Sequence, residues 1–166
     1  MAGPIGQGDA KMRIGIGYDL HRLSAGRRLV LGGVVIPHPK GLLGHSDADV
    51  LTHAVCDALL GAAGKGDIGI HFPDSSPQYK DIRSLELLSR TCAMLRSSGY
   101  EIANIDATVI AEQPRIQPYR EQMVHNLAAA ARIEPGCVNV KGTTVEGLGS
   151  IGKGEGIAAI CVVLIQ

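Results

Sequence analysis

Asp19 and His21 stand one residue apart near the start of the chain. His45-Ser46-Asp47 follows, and His53 comes eight residues after His45. A carboxylate and two imidazoles gathered in one place make a ligand set for zinc. That ion takes nitrogen and oxygen donors tetrahedrally, and in catalytic sites it keeps one position open for water or substrate. At i and i+2, Asp19 and His21 point to one face of an extended segment. His53 lies in a helix-patterned stretch, with Asp49 and Asp57 one turn before and after it on the same face. These carboxylates are placed to hold its imidazole, as a metal-bound histidine normally requires. Spacing alone is equally compatible with a surface histidine pair beside a helix start made acidic for its dipole.

The elements that must carry these residues can be read from the pattern. Met12 to Tyr18 alternates glycine with isoleucine and leads into Asp19, which predicts a strand. Leu29 to Ile36, interrupted by Gly32-Gly33, predicts a strand pair with a bend, ended by Pro37 and Pro39. Gly41 to Ser46 reads as a loop, and Ser46 or Asp47 as the cap of a helix over 47–63, whose Val50, Leu51, Ala54, Val55, Ala58 and Leu59 have helical spacing. Segment 65–78 reads as irregular. Helices are expected over 84–98 and 119–132, the latter ended by Pro135-Gly136, and strands over 102–111, 137–141 and 157–165. The fold class this implies is α+β, a two-layer sandwich in which helices pack on one face of a mixed sheet.

Composition narrows the function. The chain has 166 residues, enough for one domain with a real core; residues 12–166 are expected to form it and residues 1–11 to be a flexible tail. There is no tryptophan and one phenylalanine, so aliphatic side chains must fill the core. Sixteen basic and sixteen acidic residues give zero formal charge, which argues against a nucleic-acid or anionic-membrane partner bound by bulk electrostatics. The longest apolar run, Ile157 to Ile165, is nine residues, too short for a bilayer, and the first eleven residues lack an apolar signal core. Cys56, Cys92, Cys137 and Cys161 form no CxxC pair, so buried thiols in a reducing compartment are expected.

Several motifs together carry a resemblance. They are Arg13-Ile-Gly-Ile-Gly-Tyr-Asp-Leu-His21, Gly41-Leu-Leu-Gly-His-Ser-Asp-Ala-Asp-Val50, Gly66-Asp-Ile-Gly69 and His71-Phe-Pro-Asp74. Further on come Asp106-Ala-Thr-Val-Ile-Ala-Glu-Gln-Pro114, Val138-Asn-Val-Lys-Gly-Thr-Thr144, Glu146, Gly149 and Gly152-Lys-Gly-Glu-Gly-Ile157. In order and spacing, from about Met12 to the C-terminus, the chain resembles the 2-C-methyl-D-erythritol 2,4-cyclodiphosphate synthase family.

The resemblance implies a homotrimer with active sites between subunits. The implied enzyme is a phosphorus–oxygen lyase of non-mevalonate isoprenoid biosynthesis, taking a small diphosphocytidyl substrate and working in the bacterial cytoplasm, or in the plastid stroma after removal of a transit peptide. It assigns Asp19, His21 and His53 to zinc and Glu146 to a second divalent cation, Mg2+ or Mn2+, for which an oxygen-rich site with several waters is suitable. It gives His45 and Thr144 transition-state roles and lets Ser46 meet the phosphate. Asp67 and Gly69 match contacts to the erythritol hydroxyls, and Phe72, Asp74 and Ser76 a loop beside them. Ala111, Arg115 and Gln117 match the cytosine pocket, Thr143 a diphosphate contact and Lys153 a phosphate contact. Ser76, Ser150 and Lys153 depart from the residues common in relatives, where Asp, an aromatic and Arg are frequent. Two other readings use the same residues: a zinc phosphohydrolase that activates water, and a catalytically idle trimer that binds nucleotides. Zinc content and CMP release separate the three.

Overall fold

The computed structural model describes residues 12–166, so the expectation for residues 1–11 lies outside the described residues. Strand β1 (Arg13–Ala25) is far longer than its glycine-rich start suggests, and carries Asp19 and His21 within it. Two short strands, β2 (Leu29–Leu31) and β3 (Val34–Ile36), form a separate hairpin turned by Gly32 and Gly33, both at positive φ. Strand β4 (Lys40–Leu42), where a loop was expected, pairs with the end of β1. Then come α1 (Val50–Ala62), the single turn α2 (Ile68–His71), α3 (Ser84–Ser97), β5 (Ile102–Ile110), α4 (Arg120–Ala131), β6 (Val138–Thr143), the short α5 (Gly149–Gly152) and β7 (Gly156–Ile165).

The main sheet has the order β4-β1-β7-β5-β6. Neighbours are antiparallel except β5 and β6, which run parallel and are joined across α4. The sheet is therefore mixed, as expected, and the apolar run at the C-terminus is its central strand. Helices α1, α3 and α4 cover one face, with a core of aliphatic residues such as Leu51, Leu59, Leu88, Leu95, Ile105 and Leu127.

The alternation in β1 decides how the site is built. A Cβ on Gly15 would sit 2.0 Å from the Ala58 carbonyl oxygen, and one on Gly17 2.0 Å from that of Ala54. Helix α1 thus rests directly on the backbone of β1, and only glycine permits that approach. Ile14, Ile16, Tyr18 and Leu20 point the other way and are 75%, 65%, 56% and 47% exposed. Strand parity then puts Asp19 and His21 on the glycine face, under α1.

Several boundaries differ from expectation for local reasons. The cap of α1 is Asp49, not Ser46 or Asp47: Asp49 Oδ1 accepts from the Thr52 amide at 3.1 Å and the Gly32 amide at 2.9 Å, and Oδ2 from the Gly33 amide at 2.7 Å. One carboxylate thereby fixes both the helix start and the hairpin turn. Helix α4 ends at Arg132 in the left-handed conformation, φ +53°, before Pro135-Gly136, which open a separate 3-10 turn. Segment 65–78 contains α2 and the start of a 3-10 turn over Pro77–Tyr79. All four cysteines are free; Cys56, Cys92 and Cys161 are buried, and burial pushes the Cys92 and Cys161 thiols up to about 12. Among the described residues no helix is long and apolar enough to cross a membrane.

Candidate active site

Strand β1 brings Asp19 and His21 to one face, and the first turn of α1 lowers His53 onto them. Asp19 Oδ2 lies 2.9 Å from His21 Nε2 and 3.0 Å from His53 Nδ1, and those two nitrogens are 3.2 Å apart. The three groups can each turn one ligand atom to a common point. Two imidazole nitrogens and one carboxylate oxygen form a donor set that fits zinc and other borderline divalent metals. Gly44 makes room for this: a Cβ there would come within 3.1 Å of the His21 ring.

Without a metal the three groups form an ion-pair cluster. Burial raises the Asp19 carboxyl, but hydrogen bonds from His21 and His53 and their positive charge outweigh it and bring it below the usual range. Burial lowers His21, but the Asp19 hydrogen bond and charge win and raise it. The outer ring nitrogens are also held. His21 Nδ1 is 2.8 Å from the Leu43 carbonyl, and His53 Nε2 is 2.9 Å from Ser84 Oγ and 3.1 Å from Ser46 Oγ. Arg27 steadies the intervening loop by donating to the carbonyls of Leu42 at 2.9 Å and Ser46 at 3.0 Å.

The expectation that Asp49 and Asp57 hold His53 is corrected. Asp49 is spent on its cap and the hairpin, and Asp57 Oδ1 accepts from the Ile68 amide at 2.7 Å, tying α2 to α1. The groups behind His53 are Ser84 and Ser46, with Asp47 behind Ser84. Ser84 lies 31 positions after His53 in sequence, and nothing local in the chain marks it.

A cleft of about 360 Å³ opens at the triad, lined also by His45, Ser46, Gly69, Phe72 and Asp74. Asp67 stands beside it, capping α2 through the Ile70 amide at 3.0 Å. Phe72 is largely buried, edge-to-face with Tyr79 at 5.4 Å, so its loop is anchored on the core. Ser76 does not line this cleft; it precedes the 3-10 turn of Pro77–Tyr79.

A second cleft, of about 520 Å³, lies at the β5–β6 edge and is lined by Ala111, Arg115, Gln117, Thr143 and Thr144 among others. Glu112, which sequence reasoning did not single out, holds its far wall: Oε1 accepts from the Val145 amide at 3.0 Å and the Gly147 amide at 3.2 Å. Glu146 sits next to this cleft at φ +54°, its carboxylate taking the Thr144 hydroxyl at 2.9 Å, away from the Asp-His-His triad. Lys153, at the end of α5, lines neither cleft. No lining residue is common to the two, so one chain divides the candidate residues between separate clefts.

A mixed α+β sandwich that presents an Asp-His-His cluster able to hold a divalent metal on one cleft and a threonine-lined loop on another has the make-up of a metal-dependent enzyme. The YgbB family model matches residues 12–166, and the chain belongs to that family. Its relatives include the 2-C-methyl-D-erythritol 2,4-cyclodiphosphate synthase of Desulfatibacillum aliphaticivorans, 61% identical over 93% of this chain and 100% of that protein. The synthase of Syntrophomonas wolfei is 60% identical, covering 93% and 99%. Among solved structures, the bifunctional IspDF from Campylobacter jejuni superposes with a TM-score of 0.90 at 41% identity, over 93% of this chain and 42% of that one. A Plasmodium falciparum IspF complex with CDP gives 0.82 at 34% identity, over 93% and 95%.

Proposed function

We propose that the chain converts 4-diphosphocytidyl-2-C-methyl-D-erythritol 2-phosphate into 2-C-methyl-D-erythritol 2,4-cyclodiphosphate and CMP. An oxygen of the 2-phosphate attacks the β-phosphorus, the bond from that phosphorus to the α–β bridging oxygen breaks, and CMP leaves with the bridging oxygen. The observation that carries the reading is the Asp19–His21–His53 triad on a cleft in a chain about 60% identical to named synthases over nearly its whole length.

The residues suit this chemistry, which depends on positioning and charge neutralisation more than on covalent help from the protein. Zinc at the triad and Mg2+ or Mn2+ at Glu146 would supply Lewis-acid neutralisation of phosphate oxygens. His45 and Thr144 polarise the reacting phosphates, Ser46 and Thr143 donate to them, and Lys153 adds positive charge. Asp67 and Gly69 take the erythritol hydroxyls, with Phe72 and Asp74 forming the wall beside them and Ser76 on the loop that follows. Ala111, Arg115 and Gln117 hold the cytidine end. A single-chain domain over residues 12–166, working in the cytoplasm, belongs to the same reading.

The active unit is a homotrimer. Two observations support this: the apolar sheet face left uncovered by helices, and the division of candidate residues between clefts that share no residue. A neighbouring copy that covers the face would set the nucleotide cleft of one subunit against the metal cleft of the next.

Phosphorus NMR of the protein with the diphosphocytidyl substrate, zinc and magnesium tests the proposal. A cyclic diphosphate appearing with an equal amount of CMP is the expected result. CMP with a linear phosphate product would overturn it in favour of hydrolysis, and no turnover by the zinc-loaded trimer would leave a binding function instead.

A further inference from the structure

The two triad histidines present opposite ring nitrogens to Asp19, Nε2 from His21 and Nδ1 from His53. Each must keep its proton on the other nitrogen if the inward one is to offer a lone pair. For His21 this is settled by the backbone: the Leu43 carbonyl only accepts, so Nδ1 carries the proton. His53 faces two serine hydroxyls, and a hydroxyl can donate or accept, so they do not settle it alone.

Behind Ser84 stands Asp47. Its Oδ1 accepts from the Ser84 amide at 3.1 Å and from the Ser84 hydroxyl in a short contact. Ser84 is fully buried, and its hydroxyl has one proton. The competing acceptor, Ser46 Oγ, is farther away at 3.4 Å and already takes the Ala48 amide at 3.1 Å. A carboxylate is the stronger acceptor, so the proton goes to Asp47 and a lone pair of Ser84 Oγ is left facing His53 Nε2 at 2.9 Å.

We infer that Asp47, acting through the Ser84 hydroxyl, holds a proton on His53 Nε2 against the pull of the Asp19 carboxylate, which faces Nδ1 at 3.0 Å in the metal-free chain, and so keeps Nδ1 available to a metal. Asp47 and Ser84 are positioning residues; neither reaches the triad's inner space. The inference rests on the reading of the triad as a metal site.

Nitrogen-15 spectra of the imidazoles in the metal-free protein, at a pH where both rings are neutral, read the tautomer directly. Zinc titration against a competing chelator reads its consequence. In the wild type, His53 is expected to populate the Nε2-protonated form in competition with the Asp19 carboxylate at Nδ1. Ser84→Ala, which keeps the backbone contact to Asp47, is expected to lose that form in favour of a proton on Nδ1 and to bind zinc on the order of 10–100-fold more weakly, the usual cost of losing such a partner. Ser84→Thr retains the hydroxyl and is expected to restore both readouts. A wild-type His53 protonated on Nδ1 alone overturns the inference without any variant. So does a Ser84→Ala protein with unchanged tautomer and affinity while the wild type takes up zinc. A wild type that takes up no zinc sinks the metal-site reading beneath it.

Discussion

At the scale of residues, the triad behaves as a proton store in the absence of metal, and this fixes how metal binding depends on pH. Asp19 is held below the usual carboxylate range, first against its burial and then by its two histidine partners. Its share of stability is present above the ordinary carboxylate pKa and is lost only as the pH falls towards its depressed value. His21 is raised, so its share is present below the ordinary histidine pKa and lost as the pH rises through its own. The metal-free chain is therefore best served between those ranges. A metal ion needs His21 without the proton on Nε2 and competes with that proton on the acid side. The thermal stabilisation produced by saturating zinc is expected to be larger at about pH 8 than at about pH 5.5, on either side of the histidine range. Scanning fluorimetry with and without zinc measures it. Equal stabilisation at both pH values would mean that His21 is not displaced from Asp19 by the metal.

At the scale of elements, the site depends on how closely α1 lies on β1. Ala54, whose carbonyl fills the space over Gly17, is the residue after His53. Gly17→Ala must push the helix off the strand, and His53 moves with it. A loss of about 1–3 kcal/mol is expected from overpacking, together with weaker zinc binding. Gly136→Ala, at an exposed position with nothing near a new Cβ, should stay within about 0.5 kcal/mol. Urea unfolding of both variants checks this, and a Gly17→Ala protein as stable as the control would show that the contact relaxes at no cost. The same elements show what a sequence can reveal. The glycine–isoleucine alternation makes β1 and its two faces legible, and the parity of Asp19 and His21 follows from it. Lengths and spacing also reveal α1, α3 and the buried final strand. The caps are not legible, because Asp49 bonds to a hairpin 16 and 17 residues earlier and Ser84 meets His53 across 31 residues. Such pairings come from the packing of α1 against β2–β3 and α3, and no local period encodes them.

At the scale of the whole molecule, the uncovered sheet face and the two separate clefts support one arrangement. Ile14, Ile16, Tyr18 and Leu20 form a contiguous apolar stripe on β1, with Val162 on the adjoining β7 also 46% exposed. A patch of that kind is the face that the proposed trimer would cover. In a closed ring of identical subunits each interface is heterologous, so a residue from one copy meets a different residue of the next. If the active site pairs the triad of one subunit with the Thr144 cleft of its neighbour, two separately inactive variants can complement each other. His53→Ala removes the triad and leaves the Thr144 cleft intact; Thr144→Ala does the reverse. Every mixed trimer holds two copies of one variant and one of the other, and in a closed ring about one third of its interfaces pair an intact triad with an intact Thr144 cleft, from the symmetry alone. Co-expressed mixed trimers, purified through different tags on the two chains, are therefore expected to regain up to that fraction of wild-type CMP release. Each variant alone should stay near zero. Mixed trimers no more active than either parent would place the triad and Thr144 of one catalytic unit in the same chain, and the shared-site arrangement would fall.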